Sequence, residues 1–347
     1  MSTVAVPSPP PTASEDAESL RKALQGWRAD KAALIGILCR RTAAQRAAIR
    51  RAYAFLYREP LLNCFRYKLS RHHLLSVDFW KALILWTMDP AERDANLVHE
   101  AVKKKDENNI LVLIEVSCTS TPDHLMAVRN IYHKLFSCSI EEDVASSPAL
   151  QEPLKKMLVS LVSSYRYAGD HVDMDVAKLE AAQLSEAIRE KQLHRNEVVR
   201  IISTRSKSQL RATFQKYKED QGTDIAEDIN SRCGSQFGRM LKSAVWCLIS
   251  PEKHFAQVIR YSILGLGTYE DMLTRVIVSR AEIDMKQKGG VQGEVQERHD
   301  HRRRRRHLFR VQEHVAGLGR ERRLKSVPPP VYAPPSPLSV RKKNVSS

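Results

Sequence analysis

Few residues in this chain are spaced for chemistry. Six cysteines, Cys39, Cys64, Cys118, Cys138, Cys233 and Cys247, are widely separated, with no Cys-x-x-Cys and no Cys/His cluster. That pattern argues against a zinc site and against a disulfide framework, and fits a cytosolic chain with reduced thiols. His72 and His73 are adjacent, not one helical turn apart, which fits an exposed loop better than a metal site. No Gly-x-x-x-x-Gly-Lys-Ser/Thr phosphate loop is present, so nucleotide hydrolysis has no recognisable seat. The pair Glu141-Glu142 belongs to a recurring motif at a helix end and needs no catalytic role. The run Arg302–Arg306, flanked by His301 and His307, would attract any polyanion. Only Phe309 is aromatic nearby, so no base-stacking surface and no specific nucleic-acid partner is read. One glycine-rich turn remains, Gly265-Leu266-Gly267-Thr268, followed by Glu270 and Asp271.

The elements that would carry these residues are helical. The chain has 347 residues and a formal net charge of +16, with 42% hydrophobic residues, enough for a real core. Residues 286–347 hold 16 basic and 5 acidic residues, so most of the excess charge lies in the last sixty or so. No run of 18 apolar residues predicts a membrane span, and the start, Met1–Pro11, lacks the basic and apolar regions of a secretory signal. Residues 1–13 read as a flexible Pro/Ser leader. From Ser14, an N-cap followed by acidic residues, helical periodicity runs to about Gln287. No alternating strand pattern is visible, so the fold class is all-α.

Internal repetition organises that stretch. Four segments align without gaps, starting at Leu34, Leu113, Val198 and Leu273. Their anchor positions are Arg41, Ser120, Arg205 and Arg280. Four residues on stand Gln45, His124, Gln209 and Asp284; twelve on stand Tyr53, Tyr132 and Tyr217 in the first three. Each unit has room for about five short helices.

At these residues the chain resembles a plant annexin, from about Ser14 to Gln287. The motifs that carry the likeness begin at Leu20, Arg41, Leu85, Leu161, Thr204 and Leu264. The resemblance implies an array of four five-helix repeats whose convex face binds calcium in interhelical loops and docks on acidic phospholipid. The repeats would span 14–86, 87–160, 161–247 and, incompletely, 248–287, with a basic, Pro-rich divergent tail over 288–347. The function implied is calcium-dependent phospholipid binding by a non-enzymatic cytoplasmic protein, peripheral at the plasma membrane or endomembranes.

Calcium takes six to eight oxygens, and glycines let a loop aim its carbonyls at one point. By the family pattern Ile263, Gly265 and Gly267 donate carbonyls, with Thr268 closing the loop. The first-repeat site is degenerate. Gly26-Trp27-Arg28 puts a cation where the family has glycine, and Asp78-Phe79-Trp80 puts Trp80 where it has an acid. Trp27 could still touch lipid. The second and third repeats have no Gly-x-Gly at Lys103–Asn109 or at Tyr167–Asp170. Weakened calcium sites follow, and the alternative is calcium-independent binding of membranes or other polyanions through the basic tail. Peroxidase-like or phosphatase activity ranks third, because the His credited in some relatives is Arg40 here. An actin motif is reduced to Val199-Arg200-Ile201. Cys118 and Cys247 match family cysteines proposed for redox roles and read as buried thiols.

The tail does not resemble an annexin. With chosen codons read one base later, Lys288 onward and Arg305–Leu318 can be made to resemble the end of a fourth repeat, so a shifted frame is one account of it. Residues 71–76 exceed the family pattern and read as an irregular splice junction or a lengthened loop. An incomplete fourth repeat predicts an exposed apolar face, hence self-association or instability.

Overall fold

The computed structural model describes residues 2–25, 29–71, 77–104, 106–163, 165–264 and 269–285. Among them are seventeen α-helices and no strand. Repeat one supplies α1 (Ala13–Leu24), α2 (Lys31–Leu38), α3 (Ala43–Tyr57), α4 (Leu61–Arg71) and α5 (Val77–Thr87). Next come α6 (Pro90–Val102), α7 (Glu107–Thr119), α8 (Pro122–Phe136), α9 (Ile140–Ser146) and α10 (Leu154–Ser163). The third set is α11 (Met174–Arg189), α12 (Asn196–Thr204), α13 (Lys207–Gln221), α14 (Ile225–Arg232) and α15 (Gln236–Ile249). The described chain ends with α16 (Pro251–Leu264) and α17 (Glu270–Arg280).

The third helix of each set shows how the sequence sets its bounds. Thr42, Thr121 and Ser206 cap α3, α8 and α13, each accepting from the backbone N–H three residues on. Each helix ends on a left-handed residue, Arg58, Ser137 or Gly222. Only the last is the glycine that takes this conformation without strain.

The recurring tyrosines are the pins of the repeats. Each is buried on its third helix and meets a residue eleven positions on, in the fourth. Tyr217 donates to Asp228 at 2.8 Å, Tyr132 donates to Asp143, and the Tyr53 hydroxyl lies 3.5 Å from Cys64. The anchor arginines tie to the first helix. Arg41 clasps Asp16 at 2.6 and 2.8 Å, and Arg205 donates to Glu180 at 2.9 Å. In the second set Ser120 cannot do this. Asp94 takes Arg93 and His124 instead, each at 2.8 Å.

Two cores result. Helices α6–α15 share one cluster; α1–α5 share the other with α16 and α17. Polar bonds stitch the clusters together. Glu115 on α7 accepts from Arg275 on α17 at 2.9 Å and lies 3.0 Å from His254 on α16, while Arg93 donates to the Val278 carbonyl. Burial alone would raise the Glu115 carboxyl, but Arg275 and His254 more than offset it and hold it below its usual range.

Several sequence expectations change. Helix α1 starts at Ala13 with Thr12, not Ser14, as its cap. The leader is not loose throughout: Thr3 is buried, and its N–H and hydroxyl both donate to the Ala281 carbonyl, at 2.8 and 2.9 Å. Much of the described apolar surface of the incomplete fourth repeat is covered, while Tyr261, Tyr269 and Ile283 stay exposed. Phe255, Val258, Ile259, Met272 and Val276 are buried with repeat one. Residues 72–76 of the lengthened loop, and the tail from 286, lie outside the described residues.

Candidate functional site

The described starts of the second and fifth helices lie on one face. Short contacts between helix starts establish this. Lys31 at the start of α2 sits 4.9 Å from the Phe79 ring in α5, and Lys81 of α5 pairs with Asp271 in the first turn of α17 at 3.3 Å. Arg239 of α15 donates to Glu107 of α7 at 3.2 Å, and Lys156 of α10 to Asn196 of α12 at 2.6 Å. Arg275 of α17 reaches the Asn108 carbonyl in the first turn of α7 at 3.2 Å, which joins the two halves of the face.

Within the second and third sets the two turns touch. Ser147, ending α9, donates its hydroxyl to the Val102 carbonyl in the last turn of α6 at 3.0 Å. Cys233, ending α14, points its thiol at the Ile188 carbonyl of α11 at 3.9 Å. The third-set turn is therefore 190–195. The Tyr167–Asp170 stretch, expected to be the third-repeat loop, joins α10 to α11 instead.

At each of these two turns one last-turn carbonyl is thus already engaged by a side-chain donor. A carbonyl engaged by a hydroxyl or thiol donor is a poor cation ligand. The acids nearby are also occupied. Asp106 caps α7 by accepting from the Asn109 N–H at 3.1 Å, Asp30 caps α2 at Ala33, and Glu190 is held by Arg195. Exposed Lys103 and Lys104 follow α6. Exposed Lys191 follows α11, in the left-handed region at φ 57°. Among the described residues, no three His, Cys, Asp or Glu side chains form a group able to hold a metal ion.

The residues singled out from sequence fare unequally. Trp80 lies in α5, 1% exposed, against Phe65 and Phe79, as a core residue with an unpaired indole N–H. Ile263 packs partly buried on the repeat-one core. Gly26, Trp27, Arg28, Gly265, Gly267 and Thr268 lie outside the described residues. Cys118 and Cys247 are both buried, and burial raises both thiols. The tyrosine partners were missed, although a constant spacing of eleven from the tyrosines would have located them.

Comparison with known proteins decides the family. The sequence model described as Annexin matches residues 15–72, 93–161 and 179–244. The chain belongs to the annexin family. It is similar to annexin D3 of Arabidopsis thaliana, 46% identical over 82% of this chain and 88% of that one. It is 45% identical to annexin-like protein RJ4 of Fragaria ananassa over 79% and 84%. Among solved structures, chicken annexin V in complex with Zn2+ matches with a TM-score of 0.77 and 26% identity, over 91% of this chain and 98% of that one. Annexin III matches at 0.76 and 25%, over 91% and 97%. The annexin fold thus accounts for the all-helical array, and no described helix is long and apolar enough to cross a membrane.

Proposed function

We propose that this annexin docks peripherally on acidic phospholipid membranes through the face that gathers its interhelical turns, as a binding protein with no catalytic centre. The observation that carries this is the convergence of second- and fifth-helix starts on one side, held by Lys81–Asp271, Arg239–Glu107 and Lys156–Asn196. A flat docking face needs many points at one level, and the contacts between helix starts supply that.

Calcium belongs to this reading at one place. Gly265–Thr268, with the Ile263 carbonyl, is the loop whose residue types suit it. There the ion would bridge backbone oxygens and lipid phosphate. Family relationship supports the assignment, since one matching structure, at 23% identity, is a calcium-bound annexin. In repeats two and three a carbonyl and an acid at each turn are already engaged, so calcium dependence should be weak. We divide the chain into repeats at 14–86, 87–160, 161–247 and 248–287, and place it in the cytoplasm, at the plasma membrane or endomembranes. Nothing favours actin: Val199 and Ile201 are buried, and Arg200 pairs with Glu180.

Cosedimentation with phosphatidylserine vesicles at physiological salt tests the proposal. More pelleting in calcium than in chelator is expected, and Gly267→Arg should abolish that increment. No pelleting in either condition overturns the function. A calcium increment untouched by Gly267→Arg overturns the loop assignment.

A further inference from the structure

We propose that the cavity where the two cores meet is a binding site for a small organic acid, a carboxylate carried on an apolar body.

A missing arginine opens this cavity. In three repeats the anchor position after the second helix is arginine, and its side chain fills the space beside the first helix. Arg41 clasps Asp16, and Arg205 donates to Glu180. Arg280 lies over the Phe255 ring at 4.7 Å while pairing with Asp284 at 2.7 Å. In repeat two the anchor is Ser120, far shorter than arginine. A space of about 340 Å3 stands there, lined by Ser120, Asp94 and His124 on one side and by Phe255, Arg275 and Arg280 on the other. Pockets that hold small ligands begin at about 300 Å3.

The polar groups of the wall leave donors over. Asp94 spends both oxygens, on Arg93 and on His124, each at 2.8 Å. Glu115 is spent on Arg275 at 2.9 Å and on His254 at 3.0 Å. The arginines are not fully spent. Arg93 donates through Nε to Asp94 and through Nη1 to the Val278 carbonyl. Arg280 donates through Nε and Nη2, both to Asp284. Among the described residues, Arg93 Nη2 and Arg280 Nη1 have no acceptor, and both side chains line the cavity. A ligand that suits this wall brings acceptors, and guanidinium donors bond most strongly to an anionic head. Leu97, Val112, Val116 and Phe255 make the rest of the wall apolar. They call for a body of several carbons, which a bare phosphate or acetate lacks.

The mouth is marked by Thr121 and Ile283, the exposed members of the wall. It lies at the end of α7, about 20 Å along that helix from the start that joins the docking face. The site is thus separate from the membrane function and open to solution while the protein lies on a bilayer. Because both cores contribute walls, a bound acid ties them together.

The test uses the full chain at neutral pH with 3-phenylpropanoate, 3-phenylpropanol and 3-phenylpropylamine, which share a body and differ in the head. Calorimetry and ligand-observed NMR should show the carboxylate binding with Kd on the order of 0.1–1 mM, as suits so small a ligand. It should bind about tenfold tighter than the alcohol or the amine. Ser120→Arg restores the side chain that the other repeats carry and should abolish binding. Val116→Phe, which fills the cavity from α7, should do the same and serves if Ser120→Arg fails to fold; circular dichroism and thermal melts check both. Lys178→Gln, exposed on α11 and outside the wall, should bind as the parent does. Equal affinity for the three heads would overturn the carboxylate assignment. Undiminished binding in a folded Ser120→Arg or Val116→Phe protein would overturn the site, as would no binding of the acid by either method.

Discussion

A tyrosine hydroxyl settles how tightly each repeat is pinned. Tyr217 gives its proton to Asp228, whose carboxyl would be raised by burial but is held below its usual range by Tyr217 and its other partners. Tyr53 meets the neutral thiol of Cys64, and the charged group it touches, Arg21, is 42% exposed at a long 3.3 Å, so water screens that bond. Hydrogen bonds to charged groups contribute about 1.5–3 kcal/mol and neutral ones about 1. Tyr217→Phe should therefore cost about 2 kcal/mol and Tyr53→Phe about half that, read as shifts in urea midpoint. The opposite order would show that the acid is not what pins the repeat. At this scale the sequence was half legible. Equal spacing exposed the tyrosines, but their partners lie in another helix, and in repeat one the partner is Cys64, so no acid motif marks it. Trp80, whose type is foreign to an ion site, fills core space against Phe65 and Phe79, a packing role that its spacing does not show.

Helices legible from periodicity are joined by contacts that periodicity does not encode. Glu282, just past α17, accepts from the Ala43 N–H at 2.8 Å and pairs with Arg46 at 2.9 Å, capping α3 from the far end of the chain. Arg46 is 1% exposed and lies over the Trp86 ring at 3.8 Å. Glu282→Ala should cost about 2–4 kcal/mol, for a lost cap and a stranded buried cation, measurable by denaturant unfolding. The third-set turn was misplaced for a physical reason as well. Tyr167-Ala-Gly-Asp170 carries the usual turn residues, while 190–195 contains no glycine and turns through strained Lys191. A glycine-based search finds the wrong loop. The leader was misread in the same way: Pro and Ser report a lack of helix, but not the bonds Thr3 makes with Ala281.

The whole molecule is two apolar cores joined by charge. Glu115 carries that seam with Arg275 and His254, beside a cavity of about 340 Å3 bounded by Arg93, Asp94 and His124. Because the Glu115 carboxyl is held low, its contribution is complete above the ordinary glutamate range and fades as pH falls through its lowered value. Acid should thus loosen the seam before it unfolds either core. Glu115→Gln should cost about 3–5 kcal/mol at neutral pH and flatten the acid limb of the stability profile, checked by melts across pH. Two cores with a polar joint also predict non-two-state unfolding. Glu282→Ala should move the transition of the repeat-one and repeat-four core and leave the other in place; a single transition moving as one would refute the division. The all-α repeat array was fully legible because gapless recurrence outlasts local variation. The pairing of first with fourth repeat was not, because it is made by residues 190 to 278 positions apart.

That pairing brings the start of the chain to the end of its described helices: Thr3 bonds Ala281 across 278 positions of sequence. The polypeptide is in effect a closed loop with a nick. A circular permutant in which a short linker joins the residues after Met285 to Ser2, opened between α10 and α11, should fold to the same helical array. A fluorophore pair at the nick would report whether the loop stays shut while the protein sits on a vesicle.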